Sequence, residues 1–240
     1  MCGRYVLPGE VEIGQFWHVV RHGLAAPAGP RYNVAPTLPV PVLFPGPDSR
    51  LELASARWGL IPAWWRKDTP PATAFNARAE EAERKPLWRD SLRTSRCLMP
   101  ARGWYEWNAS EPARDGSGRK CPQPYFLFCP GAPLFAFAAV RATWVRPGSP
   151  PVVSCALLTT RAAPAVSRIH PRMPVVLKPE LEAPWLDPTT PLPLLERILA
   201  DARNDLAAYP VSSRVNHVRQ DAPDLLDPVR ISMTDTLAGF

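Results

Sequence analysis

Apolar residues along the chain fall mostly in short runs, and only three segments show helical spacing. These segments are residues 10–20, 86–95 and 191–204, the second opened by a proline near its first position. The short apolar runs predict β-strands at residues 40–44, 51–61, 96–99, 103–107, 125–129, 134–140, 152–159 and 174–177. The pattern is that of a β-rich chain with few, short helices.

Turn-forming residues set the expected domain organisation. The chain has 240 residues and 32 prolines, and prolines argue against long helices and for short strands joined by fixed turns. Gly116 and Gly118 make residues 108–122 a candidate for an exposed, hairpin-like insertion. With no internal repeat and no clear linker, we expect an α+β fold. We expect a single β-rich domain over residues 1–220, with a curved or barrel-like mixed sheet and short flanking helices, followed by a tail over residues 221–240.

The charge balance is compatible with a nucleic-acid partner but does not establish one. Lys and Arg number 28 against 22 Asp and Glu, giving a net charge of +6, and nearly all the basic residues are arginines. The planar guanidinium suits phosphate recognition because it donates two parallel hydrogen bonds. An arginine-rich composition also arises simply from GC-rich coding.

Cysteine usage points to a reducing compartment. The five cysteines are scattered, without a CxxC pair or a His/Cys cluster, so we expect no metal, no cofactor and no disulfide framework. The first residues lack a signal-peptide pattern, and no apolar run reaches the length of about 18 residues that a membrane span needs. We therefore expect a soluble, cytoplasmic protein whose thiols stay free.

Cys2 follows the initiator methionine, and removal of Met1 ahead of so small a residue exposes a terminal 1,2-aminothiol. The amine and thiol have ordinary pKa values of roughly 7.7–8.0 and about 8.5, so part of each is reactive at neutral pH. Such a group reacts with an aldehyde in a way closed to internal cysteines: the amine forms an imine and the thiol closes a thiazolidine. By position alone, the ordinary explanation is that Cys2 is a small second residue at a frayed terminus.

Five further segments combine polar and aromatic residues at fixed spacing: residues 31–37, 57–65, 75–80, 97–107 and 169–174. Each has an ordinary structural explanation when taken singly. Tryptophans in strands usually belong to the core, and Glu106 in an alternating strand would face solvent. Together with residues 1–5, 209–212 and 215–216, the segments resemble the SRAP-domain family (SOS response-associated peptidase), the abasic-site processing proteins of the bacterial YedK type. The resemblance runs from Cys2 to about Val215.

The resemblance implies a compact domain with a β-barrel-like core, acting as a monomer in the cytoplasm and on nucleoid DNA. It implies a basic channel for single-stranded DNA, and covalent capture of abasic sites by Cys2 that shields the lesion. Weak lyase activity and self-removal of Met1, the basis of the peptidase label, would accompany it. The implied catalytic residues are Cys2, Asn76, Glu106 and His170. The implied DNA-binding residues are Arg4, Pro36, Thr37, Trp64, Trp65, Arg78, Trp107, Arg161 and Arg172.

One departure from the family pattern lies after the Thr159-Thr160 pair. The family usually has an asparagine there, whereas this chain continues with Arg161-Ala162-Ala163. If that asparagine braces the channel, Arg161 is the residue placed to compensate.

Two other functions remain open from the sequence. N-terminal-cysteine amidotransferases also begin Met-Cys-Gly, but they need an Asn-Gly pair that this chain lacks. A non-catalytic module that binds single strands through a basic, aromatic groove would not require Cys2 at all.

Overall fold

The computed structural model describes residues 2–19, 21–22, 29–72 and 74–231, with the backbone alone at 21–22. Within this part of the chain the elements are β1 (Tyr5–Leu7), α1 (Glu10–Phe16), β2 (Arg21–His22), β3 (Arg31–Val34), β4 (Pro39–Pro45), β5 (Leu51–Trp58), β6 (Asn76–Arg78), α2 (Ala79–Ala82), α3 (Pro86–Thr94), β7 (Arg96–Ala101), β8 (Gly103–Arg114), β9 (Lys120–Phe128), β10 (Phe135–Trp144), β11 (Val152–Arg161), β12 (Arg172–Pro174), α4 (Pro179–Leu186), α5 (Leu192–Ala200) and β13 (Ala207–Pro210). Two 3₁₀ turns follow, Ser213–Asn216 and Pro223–Leu226. None of the helices described is long and apolar enough to cross a membrane.

Five strands close into a barrel, which confirms the expected barrel-like mixed sheet. The larger sheet has the order β12-β11-β10-β7-β4-β5-β2, with β6 beside β11. The strand β11 also pairs in parallel with β5, so β4, β5, β7, β10 and β11 form a closed ring. Closure removes the open edges of these strands and leaves an interior that side chains fill.

A second sheet, in the order β13-β9-β8-β1-β3, packs against the barrel. Alternation along β8 directs Trp104 toward the barrel, where it meets Phe137 edge-on at 5.9 Å between ring centroids. The next residue, Tyr105, lies on the opposite face, in a small core with Val6, Phe126 and Val215. Both faces of this sheet are therefore covered.

Most predicted elements are present, and some of their bounds differ from the prediction. The predicted insertion at 108–122 is the outer part of the β8–β9 hairpin, which turns where Gly118 N donates to Asp115 O at 2.9 Å. The helix predicted over 10–20 ends at Phe16, and residue 20 lies outside the described residues. The strand predicted over 174–177 begins earlier, as β12, and Val176 adds only an isolated bridge to Phe137.

Residues 221–231, assigned to a tail from the sequence, are ordered and packed on the second sheet. Asp221 accepts hydrogen bonds from Arg31 and from the backbone of Tyr32 and Asn33. Leu225 is completely buried. The remaining tail residues, 232–240, lie outside the described residues.

Candidate functional site

Cys2 stands immediately before β1, and its side chain is 1% exposed. The strand β1 lies inside the second sheet, paired with β3 on one side and β8 on the other. The carbonyl oxygen of Cys2 accepts a hydrogen bond of 2.8 Å from Nδ2 of Asn76. The predicted nucleophile therefore lies in a buried site where its backbone is hydrogen-bonded. Met1, whose removal we predict, lies outside the described residues.

Glu106 lies on β8 on the barrel side and is 1% exposed, so it does not face solvent as a residue of a one-sided sheet would. The Glu106 carboxyl group and the Cys2 thiol influence each other's pKa, so these two buried side chains lie close together. Burial raises the pKa of Glu106, and the interactions with the Cys2 thiol and with the charge of His170 oppose that rise. Its pKa therefore lies above the ordinary value of a carboxyl group.

The pKa of the Cys2 thiol is raised well above its usual value, first by burial and then by the neighbouring Glu106 carboxylate. The sulfur is therefore held as a protonated thiol, and the Glu106 carboxylate beside it can accept the proton. Nucleophilic attack by this sulfur requires that the thiol proton leaves as the sulfur forms its new bond.

His170 immediately precedes the turn into β12 and is half-buried. Its Nδ1 lies 3.1 Å from the Arg172 amide nitrogen and 2.9 Å from the Arg172 carbonyl oxygen. The backbone of β12 therefore fixes the orientation of the imidazole through Nδ1, and the ring acts electrostatically on Glu106.

The strand β11 brings three distant motifs together. The motif Asn76–Arg78 forms β6, which pairs in parallel with Leu157, Leu158 and Thr159 of β11. The segment Arg172–Pro174 pairs with the other edge of β11, with Arg172 opposite Arg161. Three of the arginines implicated in DNA binding thus collect at one end of one strand.

These arginines differ in how much of the guanidinium is available. Arg172 forms a bidentate pair with Glu80 at 2.7 and 2.9 Å and also donates to Thr159 O, and its side chain is 20% exposed. Arg78 is 60% exposed and only loosely paired with Glu81 at 3.3 Å, and Arg161 is exposed. Arg78 and Arg161 are therefore the two whose charged groups reach solvent.

Arg4 is anchored inside the protein. Its Nη1 donates to Asn33 Oδ1 at 2.9 Å and to Val215 O at 2.7 Å, and its Nη2 reaches Asn216 O at 3.3 Å. Burial lowers the pKa of this guanidinium. These hydrogen bonds fix the orientation of the Arg4 side chain without any contact to a DNA phosphate.

Three tryptophans and the Pro36–Thr37 turn, all predicted to bind DNA, differ in their contacts and exposure. Trp107 points to the face of β8 opposite Glu106, where its Nε1 donates to Asn216 Oδ1 at 2.7 Å. Trp64 is 45% exposed and its neighbour Trp65 is half-buried, both in the loop between β5 and β6. Thr37 has a φ of 78° and donates to Trp58 O at 2.7 Å, which ties the turn to the barrel.

Three residues to which the sequence analysis assigns no role form hydrogen bonds with predicted DNA-binding residues. They are Glu80, Asn33 and Asn216, which bind Arg172, Arg4 and Trp107 respectively. Glu80 lies two residues after Arg78 and pairs with Arg172. An acidic residue so close to a basic one was the sequence signal that could have predicted an ion pair within the protein. Asn33 and Asn216 both belong to segments that carried the family resemblance. The sequence therefore marked their segments as characteristic of the family but did not indicate which groups these two side chains contact.

The fold and the site together define a barrel domain in which a buried cysteine next to the N-terminus lies beside a buried glutamate. The model of the family described as SOS response associated peptidase (SRAP) matches residues 1–218. The chain therefore belongs to the SRAP family, as its motifs indicated.

Similar proteins agree with this assignment. Abasic site processing protein YoqW of Bacillus subtilis is 34% identical, over 95% of this chain and 99% of its own. Abasic site processing protein YedK of Escherichia coli is 32% identical, over 83% of this chain and 85% of its own. A crystal structure of a protein from Bacteroides thetaiotaomicron superposes with a TM-score of 0.76 over 95% of this chain and all of its own, and at 20% identity it shows the shared fold.

Proposed function

We propose that this protein captures abasic sites in single-stranded DNA by forming a thiazolidine between Cys2 and the ring-opened deoxyribose. The observation that carries the proposal is that the buried Cys2, held at its carbonyl group by Asn76, has the buried Glu106 carboxyl group beside its thiol. The names of YoqW and YedK as abasic site processing proteins support the choice of substrate.

The reaction begins once Met1 has been removed, which we assign to hydrolysis at this same site. The Cys2 amine adds to the C1′ aldehyde, and the resulting carbinolamine loses its hydroxyl group as water to give an iminium ion. The Cys2 sulfur then adds to the same carbon while the thiol proton leaves. One C–N bond and one C–S bond form, and one water molecule is released for each crosslink.

Glu106 is placed to move both protons. In its acid form it protonates the departing hydroxyl group, and as a carboxylate it accepts the thiol proton when the ring closes, so it ends in its starting state. The upward shift of its pKa favours both tasks, because it brings the pKa closer to the working pH, where proton transfer is most effective. The charge of His170 acts in the opposite direction and favours the carboxylate form of Glu106.

Asn76 holds the backbone of Cys2 through Nδ2 and offers a second contact through Oδ1. The Oδ1 atom is buried and accepts no hydrogen bond from the described residues. We assign it to the terminal amine or to a sugar hydroxyl, since a buried acceptor without a donor is unfavourable until one arrives.

The DNA strand would lie along the end of β11. Arg78 and Arg161 contact phosphates there, and the exposed Trp64 stacks on a base without reading its identity. Such contacts suit a monomer that acts at any lesion on nucleoid DNA. The iminium intermediate also permits β-elimination, the source of a weak lyase activity.

The proposal is tested with single-stranded DNA that carries one abasic site. Mature protein should give a heat-stable, slow-migrating band, and protein with Met1 retained should give none. The variant Cys2→Ala keeps a terminal amine, so it should give a band only when the iminium is trapped with borohydride. Mature protein that binds the strand without any band would favour a binding module, and glutamine hydrolysis in its place would favour the amidotransferase.

A further inference from the structure

The backbone of Cys2 is held by few hydrogen bonds, because the paired part of β1 begins after it. The first residue in register with both neighbouring strands is Tyr5, and the backbone bonds to β8 reach Arg4 O, which accepts from Tyr105 N at 3.0 Å. Ahead of that point, Asn76 holds the Cys2 carbonyl group and the side chain of Arg4 provides the other anchor.

Arg4 is anchored to a segment that the proposed mechanism does not use. Residues 213–221, which we call the arch, cross the outer face of the second sheet and present their carbonyl groups inward. The guanidinium of Arg4 donates to the carbonyls of Val215 and Asn216 and to the side chain of Asn33. All three acceptors are neutral, so the planar geometry of the guanidinium, rather than an ion pair, holds the side chain in place.

Asn33 joins Arg4 to the arch and cannot touch a ligand. It is completely buried, and its Oδ1 accepts from Arg4 at 2.9 Å. Its Nδ2 donates to the carbonyls of Val215, His217 and Gln220 at 3.2, 3.2 and 2.7 Å. The opposite end of the arch is fixed as Asp221 accepts from the amide of Asn33 at 3.1 Å.

We infer that Arg4 and Asn33 are positioning residues that hold the N-terminal nucleophile against Glu106 and Asn76, with the arch as their fixed support. This inference rests on the proposed function for its role in the reaction. It also gives Arg4 a primary role distinct from the phosphate contact that the sequence suggested. In this arrangement the charge of Arg4 is secondary, and its three directed hydrogen bonds are what the site requires.

The first test measures the exposure of Cys2 without DNA. Each variant is treated with iodoacetamide, and labelling of each cysteine is followed by peptide mass spectrometry. Because labelling of a 1% exposed thiol requires local opening, Arg4→Lys and Asn33→Ala should each speed labelling of Cys2 by roughly tenfold or more. Asn216→Ala removes the contact to Trp107 but keeps the carbonyl that accepts from Arg4, so Cys2 in this control should be labelled at the wild-type rate.

Cys97 and Cys155 serve as internal reporters of global unfolding, because both are completely buried in barrel strands. Faster labelling of Cys2 alone supports the inference. Parallel acceleration at all three cysteines, or no acceleration at Cys2, overturns it.

The second test separates positioning from phosphate binding. Affinity and its salt dependence are measured on single strands without a lesion, and the crosslinking rate on saturating abasic DNA. Positioning predicts that Arg4→Lys slows the saturated rate by roughly ten- to a hundredfold, since misplacement by about 1 Å has costs of that order, with the affinity unchanged. A phosphate ligand predicts a nearly normal rate in Arg4→Lys, and in Arg4→Met a salt slope lower by about 0.7.

The experiments distinguish a failure of the proposed function from a failure of the positioning role. If wild-type protein forms no crosslink, the proposed function is wrong, while the labelling experiment still decides whether Arg4 and Asn33 anchor Cys2. If the crosslink forms and Arg4→Lys is normal in both tests, the positioning role is wrong and the proposed function stands.

Discussion

A carboxyl group as buried as that of Glu106 destabilises a fold unless its partners offset the loss of hydration. Here the partners are the Cys2 thiol and the charge of His170, and they leave the pKa raised. A group whose pKa is higher in the folded than in the unfolded state supports stability while it is protonated. That support is lost as the pH rises through the folded-state pKa. Glu106, the proposed acid–base group, should therefore lower the free energy of unfolding as the pH rises.

The variant Glu106→Gln tests both consequences. Removal of the titrating proton should slow crosslinking by about 10²- to 10⁴-fold, the usual contribution of a general acid–base group. Since glutamine does not ionise, the free energy of unfolding of the variant should exceed that of wild type by an amount that grows with pH. Single-turnover crosslinking and urea unfolding at several pH values measure the two effects. An unchanged rate would remove Glu106 from the mechanism.

Two short helices, α3 and α4, end at the same buried arginine. Arg96 is 4% exposed and donates to the carbonyls of Leu92 and Arg93 at the end of α3, and of Trp185 and Asp187 at the end of α4. Carbonyl groups at helix ends have no partner within the helix, so one guanidinium serves both ends. Each helix is too short to be stable alone and depends on such contacts.

Replacement of Arg96 by methionine keeps much of the volume and removes these donors. We expect a loss of stability on the order of 3 kcal/mol, because several buried carbonyls lose their hydrogen bonds at once. Thermal and denaturant unfolding measure the change. Replacement of the exposed Arg89 of α3 by methionine is the matched control and should change stability by less than about 0.5 kcal/mol.

The helices α1 and α4 meet at a hydrogen bond from Trp17 Nε1 to Glu182 Oε2, 2.8 Å long. Burial raises the pKa of Glu182 from 4.5 to about 7. The unfolded chain therefore loses this proton near pH 4.5 and the folded chain near pH 7, so stability falls between those values.

The variant Glu182→Gln keeps an acceptor for Trp17 and does not ionise. Its advantage over wild type should be absent below pH 4.5 and should rise to at most about 3 kcal/mol at pH 7 and above. Unfolding by urea across this pH range measures the difference. A constant difference at all pH values would contradict the shifted pKa.

The molecule as a whole consists of a closed barrel and a second sheet that carries the N-terminus. The chain returns at its far end to cover the outer face of that second sheet. Val215 and Leu225 are completely buried there, and Asp221 binds the backbone of β3. Both ends of the described chain thus meet on one sheet.

A chain that ends after residue 220 should be less stable than the full chain by roughly 2–5 kcal/mol, the usual loss for removal of a large buried aliphatic side chain such as Leu225. The point variant Leu225→Ala should reproduce a large part of this loss in thermal unfolding. If the shortened chain were as stable as the full one, residues 221–231 would act as a dispensable tail, as the sequence pattern suggested.

Local patterns predicted the longer strands well and the short ones poorly. The strands β4, β7, β10 and β11 carry enough apolar residues to be recognised by themselves. The strands β1, β3 and β6 have three or four residues and take their structure from neighbours distant in the chain. These short strands carry or adjoin Cys2, Asn33 and Asn76, so the candidate site lay where periodicity is least informative.

The amino-acid order alone determined the chemical groups available. It placed a cysteine next to the initiator methionine and an alternating strand around Glu106, and it carried the motifs by which the family was recognised. These properties are covalent or local, and no folding is needed to read them. Whether Glu106 faced solvent or another layer, and whether Arg4 met a phosphate or a carbonyl group, depended on contacts between distant segments. Barrel closure by β5 and β11 and the packing of the second sheet made those contacts, and the resulting burial shifted the pKa values of Cys2 and Glu106.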